Sequence, residues 1–485
     1  MSIKRFFTSK NIFWLVYFIS IISWLTYYIV EFFCSKYSTW DTGAHIQPVI
    51  HWALYGEYED KLLDVPHPFV NHFRPALLLL APFVKVFPSM LVIHLAKLCT
   101  FAITPLLFLY YCKKHINKKW VYLLPLFYCC HDVIFTTMYA ENQATSLAIP
   151  LIVWAFFLAF EKKYVKMLLP LILIVFFKEN LPLIWVSIGL FILLEQKNFK
   201  WGISTILSGI LIGLCIFFIV IPFFAQAPSH QQDSLMPFKF IGLKVLMLFR
   251  AHLSMGLFAL LWPKAILISL PIYAIYLLGG GTIYRALWLG SHNHDFTTAF
   301  LFCLAFYTLR QTLNGKTWFK PTSKVHTNFI KSVGCILFIV GISKLPIFKI
   351  IGKIDHYKTG YNLRQIAYSI KPSLKENYTY NISPRLMEYF IDLRTIKSYD
   401  DKRYDKVFDS SKPFYIIFPT NKKFYNLNPK TIRVFSQIMQ THHKQGICTL
   451  STHTFKDAEI TIARYDKPLT PTELETVKKK INNIF

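Results

Sequence analysis

Charged residues are scarce in this chain of 485 residues, at 16%, where globular proteins have about a quarter. Acidic residues are the scarcest, because 26 Asp and Glu oppose 53 Lys and Arg, which gives a net charge of 53 − 26 = +27. Cysteines number nine, and the segment after residue 348 has only Cys448, so no internal disulfide can form there. With 54% hydrophobic residues, these scarcities exclude a disordered chain, a coiled coil, a disulfide-framed secreted module and a single soluble domain.

Hydrophobic runs separated by short polar breaks fill the chain from residue 11 to residue 347. A bilayer core of about 30 Å requires roughly 20 helical residues. The runs predict a polytopic α-helical membrane protein with about 11 transmembrane helices, within a range of roughly 9–13. The predicted spans are 11–33, 89–112, 119–138, 142–160, 167–178, 181–195, 201–224, 243–262, 264–282, 296–311 and 327–347. Segment 75–87 is apolar but too short to cross, so we expect a re-entrant or interfacial helix there.

Orientation follows from the positions of Lys and Arg, which concentrate in alternate turns between the spans. The pattern predicts a cytoplasmic N-terminus and an extracytoplasmic C-terminal domain. Residues 1–347 would form the membrane domain, with a long first outer loop at 34–75. Residues 348–485 alternate predicted strands with predicted helices, which is typical of an α/β layer. We therefore expect a small extracytoplasmic α/β domain over 348–485.

Ionisable side chains collect in the loops predicted to lie outside, where groups beside a span are functional candidates. The first outer loop contains Asp41, His72 and Arg74, the second contains Glu141, the third contains Lys178 and Glu179, and a later one contains His294. Since these loops lie on one side of the membrane, they could converge on one cavity.

Asp41 has two interpretations. An Asp just past the first span could accept a proton from an acceptor hydroxyl, as a general base does. It could equally cap a helix that begins near Gly43, because Asp at an N-cap accepts hydrogen bonds from backbone donors. The residue spacing favours neither.

Several motifs resemble those of a bacterial family of multi-pass membrane proteins, catalogued as a domain of unknown function with the architecture of GT-C glycosyltransferases. The resemblance extends over roughly residues 38–195. The chain departs from the family pattern at Glu141-Asn142, where an Asp and a His are usual, and at Asn293-His294, where a Tyr-His pair is usual. The matching motifs are Trp40-Asp41-Thr42-Gly43, His72-Phe73-Arg74-Pro75-Ala76, Ala81-Pro82-Phe83, Ala148-Ile149-Pro150-Leu151 and Lys178-Glu179-Asn180.

This resemblance implies a GT-C-like enzyme in the bacterial inner membrane. Such an enzyme takes a sugar from a polyprenyl-phosphate carrier at the outer leaflet and passes it to a glycolipid or glycan acceptor. A first-loop acid, here Asp41, serves as base, and basic residues hold the carrier phosphate. No nucleic acid is implied as a partner. The candidates for the phosphate are Lys178, Arg74, Lys85, Lys97, Arg250 and Arg285.

Competing interpretations stay open at these positions. Lys85 and Lys97 could instead snorkel to lipid headgroups, and Lys178 could form a structural pair with Glu179. The run His292-Asn293-His294-Asp295 could hold a divalent metal, since imidazole and carboxylate are common ligands, but a hydrogen-bonded histidine cluster is favoured.

Two other classes of protein compete with the enzyme. A lipid or solute transporter often has internal repeats and ionisable groups near the midplane. The sequence has no convincing repeat, and its ionisable groups cluster near the outer side, which favours the glycosyltransferase. A non-catalytic envelope-assembly protein fits the residues as well.

Overall fold

A computed structural model describes most of the chain, and its described residues fall into two compact units. Unit 1 comprises Met1–Leu25, Phe69–Ala76 and Leu95–Phe348, and unit 2 comprises Thr26–Pro68, Leu77–His94 and Lys349–Phe485. The predicted division into a membrane domain and a soluble domain stays a prediction. The described residues are 9–34, 40–62, 67–70, 72–116, 120–139, 144–225, 240–255, 261–278, 294–317, 343–383, 386–398, 407–408, 410–420 and 429–482.

Helices make up most of the described residues before residue 349. Their bounds are Ser9–Phe33, Trp40–Tyr55, Ala81–Val86, Leu91–His115, Leu123–Cys129, Asp132–Tyr139, Thr145–Phe160, Tyr164–Val175, Pro182–Gln196, Phe199–Cys215, Ile221–Ala225, Ile241–Ser254, Lys264–Leu278, Asp295–Leu313 and Pro346–Ile351. Short 3-10 turns cover Pro68–Val70 and Pro75–Leu80, and a π-helical turn covers Ile216–Val220.

Three described helices are long and apolar enough to cross a membrane: Ser9–Phe33, Leu91–His115 and Phe199–Phe224. They correspond to the predicted spans 11–33, 89–112 and 201–224. Other predicted spans coincide with shorter apolar helices such as Thr145–Phe160, so the number of crossings, about eleven, stays a prediction. Most of the predicted span 327–347 lies outside the described residues.

The predicted span 119–138 is not one continuous helix. It consists of the helices Leu123–Cys129 and Asp132–Tyr139, with His131 between them. The His131 ring is buried, and its Nε2 lies 2.9 Å from the carbonyl oxygen of Ser254. Hydropathy alone predicts one span here, because it does not register the hydrogen bond that His131 makes to a neighbouring helix.

A tight helical hairpin joins Pro182–Gln196 to Phe199–Cys215. Lys197 ends the first helix with a left-handed φ of 53°, and the Asn198 Oδ1 begins the second by accepting a hydrogen bond from the Trp201 N–H at 3.2 Å. Asn is among the preferred N-cap residues for this reason. Glycine at 209 permits close packing, because a Cβ there would lie 2.7 Å from the Cβ of Trp185.

Aromatic rings fill the core of unit 1. The rings of Tyr111 and Phe157 stack with centroids 3.9 Å apart, and Phe157 contacts Phe306 edge-on at 4.7 Å. These rings belong to Leu91–His115, Thr145–Phe160 and Asp295–Leu313, and Phe157 and Phe306 are fully buried. Edge and offset contacts of this kind stabilise beyond the area they bury.

Unit 2 contains a mixed sheet of five strands, which are β1 Thr379–Ile382, β2 Ile396–Ser398, β3 Phe414–Pro419, β4 Thr449–Phe455 and β5 Ala458–Tyr465. Their order in the sheet is β2-β1-β3-β5-β4. Strand β1 pairs in parallel with β2 and β3, whereas β5 pairs antiparallel with β3 and β4. Every residue of β3 is buried, as expected of a central strand whose sequence is a continuous apolar run.

Helices Ile354–Ile370, Met387–Phe390, Pro429–Lys444 and Pro471–Asn482 complete unit 2 after residue 348, with a 3-10 turn at Lys371–Ser373. Phe435, Ile438 and Met439 of the long helix Pro429–Lys444 pack into one apolar core with Phe408 and Tyr465. Strands and helices were expected in this region, and the sheet confirms that expectation at the level of an α/β layer.

Candidate functional site

Two segments far apart in sequence meet in unit 1. The Ala76 N–H donates to the carbonyl oxygen of Phe176 at 2.9 Å, and the Phe73 N–H donates to Glu179 Oε2 at 3.1 Å. The first segment follows a 3-10 turn, and the second joins the helices Tyr164–Val175 and Pro182–Gln196. The predicted first and third outer loops are therefore in contact through residues 72–76 and 176–179.

His72 and Glu179 form the central pair of this site. The Nδ1 of His72 lies 2.8 Å from Oε1 of Glu179, so the carboxylate accepts one hydrogen bond on each oxygen. Burial raises the pKa of Glu179, but His72 and Lys178 outweigh it and hold the pKa at about 2. Burial lowers the pKa of His72; Glu179 acts against this effect, and Lys178 and Arg74 reinforce it. We conclude that Glu179 is ionised and His72 is a neutral imidazole at pH 7, with Nδ1–H donating.

Two cations are buried beside this pair. Arg74 is 2% exposed and Lys178 is 8% exposed, whereas most Arg and Lys side chains are solvated. Both lie close enough to His72 to act on its pKa. With His72 neutral and Glu179 charged, the four side chains have an excess of one positive charge.

Asn180 adds a polar atom to the same turn. Its Oδ1 is buried and has no hydrogen-bond partner among the described residues. Sequence reasoning included Asn180 only as a member of the motif Lys178-Glu179-Asn180 and gave it no role. An unpartnered carbonyl oxygen can accept a hydrogen bond from a ligand hydroxyl.

His294 and Asp295 lie in unit 1 against other partners. The Thr145 hydroxyl donates to Asp295 Oδ2 at 2.8 Å, and the His294 ring stacks on Tyr276 with centroids 5.1 Å apart. Sequence reasoning grouped His294 with His72 and Lys178, whereas the contacts described for the His294 ring are with Tyr273 and Tyr276.

Lys97 is buried, which overturns the interpretation that it snorkels to headgroups. It is 3% exposed, and its Nζ donates to the carbonyl oxygen of Thr137 at 2.5 Å. The carbonyl belongs to the last turn of Asp132–Tyr139, where a cation is favourable. Lys85 and Arg250 are exposed, as expected of solvated or interfacial cations.

Three predicted site residues have no described side chain. Asp41 lies in the first turn of the helix Trp40–Tyr55 in unit 2, and nothing is described beyond its backbone. The described helix begins at Trp40, whereas the capping interpretation expected a start near Gly43. Both interpretations of Asp41, base and cap, stay predictions. Glu141 and Arg285 lie outside the described residues.

Metal binding was left open in the sequence. Among the described residues, no group of three or more His, Cys, Asp or Glu side chains is placed to hold a metal ion. His292 and Asn293 of the proposed run lie outside them.

Residues 36–268 match the model of a family described as "Predicted membrane protein (DUF2079)". The match confirms the resemblance to a family of membrane proteins of unknown function. The structure is similar to a crystal structure of ArnT from Cupriavidus metallidurans bound to undecaprenyl phosphate, with 11% identity and a TM-score of 0.48. That similarity covers 93% of this chain and 99% of the ArnT chain. No curated protein matches this sequence.

Proposed function

We propose that this chain is a membrane glycosyltransferase that moves a sugar from a polyprenyl-phosphate carrier to a cell-envelope acceptor. The observation that carries the proposal is the burial of two cations, Arg74 and Lys178, beside His72 and Glu179. Buried cations need charged or polar partners, and an anionic ligand is one such partner. A lipid phosphate brings such an anion to the ends of apolar helices, and Arg and Lys are the usual residues that bind it.

In the proposed reaction, the acceptor hydroxyl oxygen attacks the anomeric carbon as the bond from that carbon to the phosphate oxygen breaks. The electron pair of the broken bond stays on the carrier phosphate, whose charge Arg74 and Lys178 stabilise. The hydroxyl proton passes to a carboxylate base. Asp41 is proposed as this base on its sequence resemblance alone.

His72 and Glu179 have positioning roles in this proposal. By accepting from the Phe73 N–H and from His72, Glu179 fixes the two residues that precede Arg74. The Asn180 Oδ1 would accept a hydrogen bond from a sugar or carrier oxygen that carries a proton. The proposal places the protein in the bacterial inner membrane, with the N-terminus cytoplasmic and the C-terminal domain outside.

The test replaces Asp41 by Asn in the full-length protein and measures sugar modification of envelope glycans by mass spectrometry. We expect Asp41→Asn to abolish the modification while the protein stays in the membrane. Glu475→Gln is the matched control, since Glu475 is exposed on the helix Pro471–Asn482. Modification that persists unchanged in Asp41→Asn overturns the assignment of the base.

A transporter is the second candidate function. Lys97 and Asp295 favour it, because both are buried in the helical part of unit 1 and charged groups there often line ion or substrate paths. Uptake or lipid flipping in proteoliposomes that Asp41→Asn leaves intact and Asp295→Asn abolishes would select the transporter. Glycan modification that depends on Asp41 would select the transferase.

A further inference from the structure

We propose that unit 2 has a binding site for an anionic phospholipid of the surrounding bilayer, distinct from any sugar carrier. The site is a surface cavity of ≈ 930 Å³. Its walls come from three places in unit 2: Cys34, the first half of the helix Ile354–Ile370, and the turn between β4 and β5. We call it the lipid cavity.

The depth of the lipid cavity in a bilayer follows from Cys34. This residue comes directly after the 25-residue helix Ser9–Phe33. At about 1.5 Å per residue, such a helix is roughly 37 Å long, which exceeds a hydrocarbon core of about 30 Å. A helix that spans the core therefore ends at the level of the phospholipid headgroups, and the lipid cavity begins there.

The wall of the lipid cavity is held close to Cys34. Gly360 faces the Cys34 backbone so closely that a Cβ at position 360 would overlap the Cys34 carbonyl. Nearby, the Tyr357 hydroxyl donates to the buried Glu31 at 2.9 Å. These contacts fix the first turns of Ile354–Ile370 against the end of the preceding helix, so the cavity is a built feature of the fold.

Exposed apolar side chains are part of the lining of the lipid cavity and come next to it in sequence. Ile354 and Tyr361 line the cavity and are 55% and 45% exposed, and Ile351 and Phe455, which are close to lining residues in sequence, are 64% and 41% exposed. Exposed apolar groups that lie together mark an interaction site. Acyl chains would cover them at the depth derived from Cys34.

Cations stand around the same apolar surface. Lys358 and Lys456 line the cavity, and Lys353 is exposed one residue before Ile354. Lys456 has a left-handed φ of 54° in the β4–β5 turn, and its Nζ lies 5.5 Å from the ring centroid of Phe455. A headgroup phosphate within reach of these lysines would pair with their positive charges. The acyl chains of the same lipid would contact the apolar wall.

Two carboxylates also line the cavity, and both have partners. Asp457 accepts hydrogen bonds from Thr359 and, at 2.6 Å, from Asn362. Asp355 is 89% exposed and lies 3.5 Å from Lys358, which is the geometry of a weak surface pair. The two lysines that line the cavity balance its two carboxylates, and the exposed Lys353, one residue before Ile354, adds a positive charge beside it, so an anionic headgroup is favoured over a zwitterionic one.

The test measures lipid binding to the full chain by native mass spectrometry, in micelles doped with phosphatidylglycerol or with phosphatidylcholine. We expect the wild-type chain to bind phosphatidylglycerol more tightly. Since a lysine near a membrane surface contributes roughly a fivefold effect, the double variant Lys358→Gln/Lys456→Gln should bind phosphatidylglycerol about thirtyfold more weakly. Its affinity for phosphatidylcholine should not change.

The control is Lys479→Gln/Lys480→Gln, because both lysines are exposed on the helix Pro471–Asn482 of the same unit. It removes the same charge away from the lipid cavity and should leave both affinities unchanged. Equal affinity of the wild-type chain for the two lipids overturns the proposal. An equal loss in the control overturns it as well, since net charge alone would then explain the binding.

Discussion

Nδ1 of His72 and Oε1 of Glu179 lie 2.8 Å apart although the two residues are 107 positions apart in sequence. This pair connects a loop beside Pro75 to the turn between two apolar helices. The second carboxylate oxygen of Glu179 accepts a hydrogen bond from the Phe73 N–H, so the pair also fixes the backbone next to Arg74. Glu179 is therefore a buried anion that acts with both His72 and Lys178.

Glu179→Gln should destabilise the protein. The substitution removes the negative charge that accepts from His72 and that acts on the buried Lys178. Loss of one partner from a buried charged pair typically costs about 3–5 kcal/mol. We expect a lower thermal unfolding temperature in detergent, measured on the full chain, and no change for Glu475→Gln.

The same carboxylate predicts that the stability of the folded chain falls at acidic pH. The pKa of Glu179 is about 2 in the folded chain against an ordinary value of 4.5, so the unfolded state binds the proton more tightly. The stability that Glu179 contributes is present above pH 4.5 and is lost as the pH falls towards 2. Unfolding measured over that window should be less pH-dependent in Glu179→Gln than in the wild-type chain. Equal slopes would contradict the ionised state of Glu179.

The contact between the predicted first and third outer loops is the part of the site that sequence reasoning anticipated. Charged residues at a short turn between apolar runs, such as Lys178 and Glu179, are costly and therefore informative. The specific pairing of His72 with Glu179 could not be derived, because it depends on the packing of a loop against a turn about a hundred residues away. His294 was grouped with them on sidedness alone, and its described contacts are with other residues.

The fold was predictable where one physical signal dominates. The run Phe414-Tyr415-Ile416-Ile417-Phe418 is continuously apolar, and it forms a buried central strand. The region 119–138 was also read as one run, but His131 interrupts it and bonds to Ser254. A mean hydropathy over the run hides one polar residue. A buried imidazole, however, needs a hydrogen-bond partner, and here the helix is interrupted at the residue that makes that bond.

Gly209→Ala should destabilise the hairpin of the helices Pro182–Gln196 and Phe199–Cys215. A Cβ at position 209 would lie 2.7 Å from the Cβ of Trp185 and 3.0 Å from the carbonyl oxygen of Pro182. Since neither atom is the end of a flexible side chain, the helices must separate, at a cost of about 1–3 kcal/mol. Thermal unfolding of the full chain in detergent measures the loss.

Gly213→Ala is the matched control for this substitution. It lies one turn along the same helix, and its Cβ would meet only the Cβ of Pro182 at an ordinary 3.6 Å. Because Ala favours a helix over Gly by up to about 1 kcal/mol, we expect an unchanged or slightly higher unfolding temperature. If both variants unfold at the same temperature as the wild-type chain, the stability of the protein does not require close packing at Gly209.

Glu388 should make unit 2 less stable as the pH rises. It is 5% exposed and accepts hydrogen bonds from the hydroxyl of Ser89 and, at 2.8 Å, from the Met90 N–H. Burial outweighs these donors and raises the pKa of Glu388 from 4.5 to about 8. The folded state then holds a proton that the unfolded state releases, so stability is full below pH 4.5 and is lost as the pH rises through 8.

Two variants separate the charge of Glu388 from its hydrogen bonds. Glu388→Gln keeps the shape and cannot ionise, so its unfolding temperature should lose the decline between pH 4.5 and 8. Glu388→Ala leaves the Met90 N–H without this acceptor and should be less stable at every pH. A decline that survives in Glu388→Gln must come from another group.

Arg74→Gln should weaken binding of a polyprenyl phosphate. A charge-assisted hydrogen bond to phosphate contributes about 1.5–3 kcal/mol, so we expect a loss of at least roughly tenfold in affinity, measured with a labelled polyprenyl phosphate on the purified full chain. Arg433→Gln is the control, because Arg433 is exposed on the helix Pro429–Lys444. Arg74→Lys keeps the charge but not the planar fork, and it should recover part of the affinity. The affinity is compared at a temperature at which both chains are folded. If the wild-type chain and Arg74→Gln then bind the polyprenyl phosphate equally well, the buried cations of this site serve the packing of the protein and do not bind a phosphate.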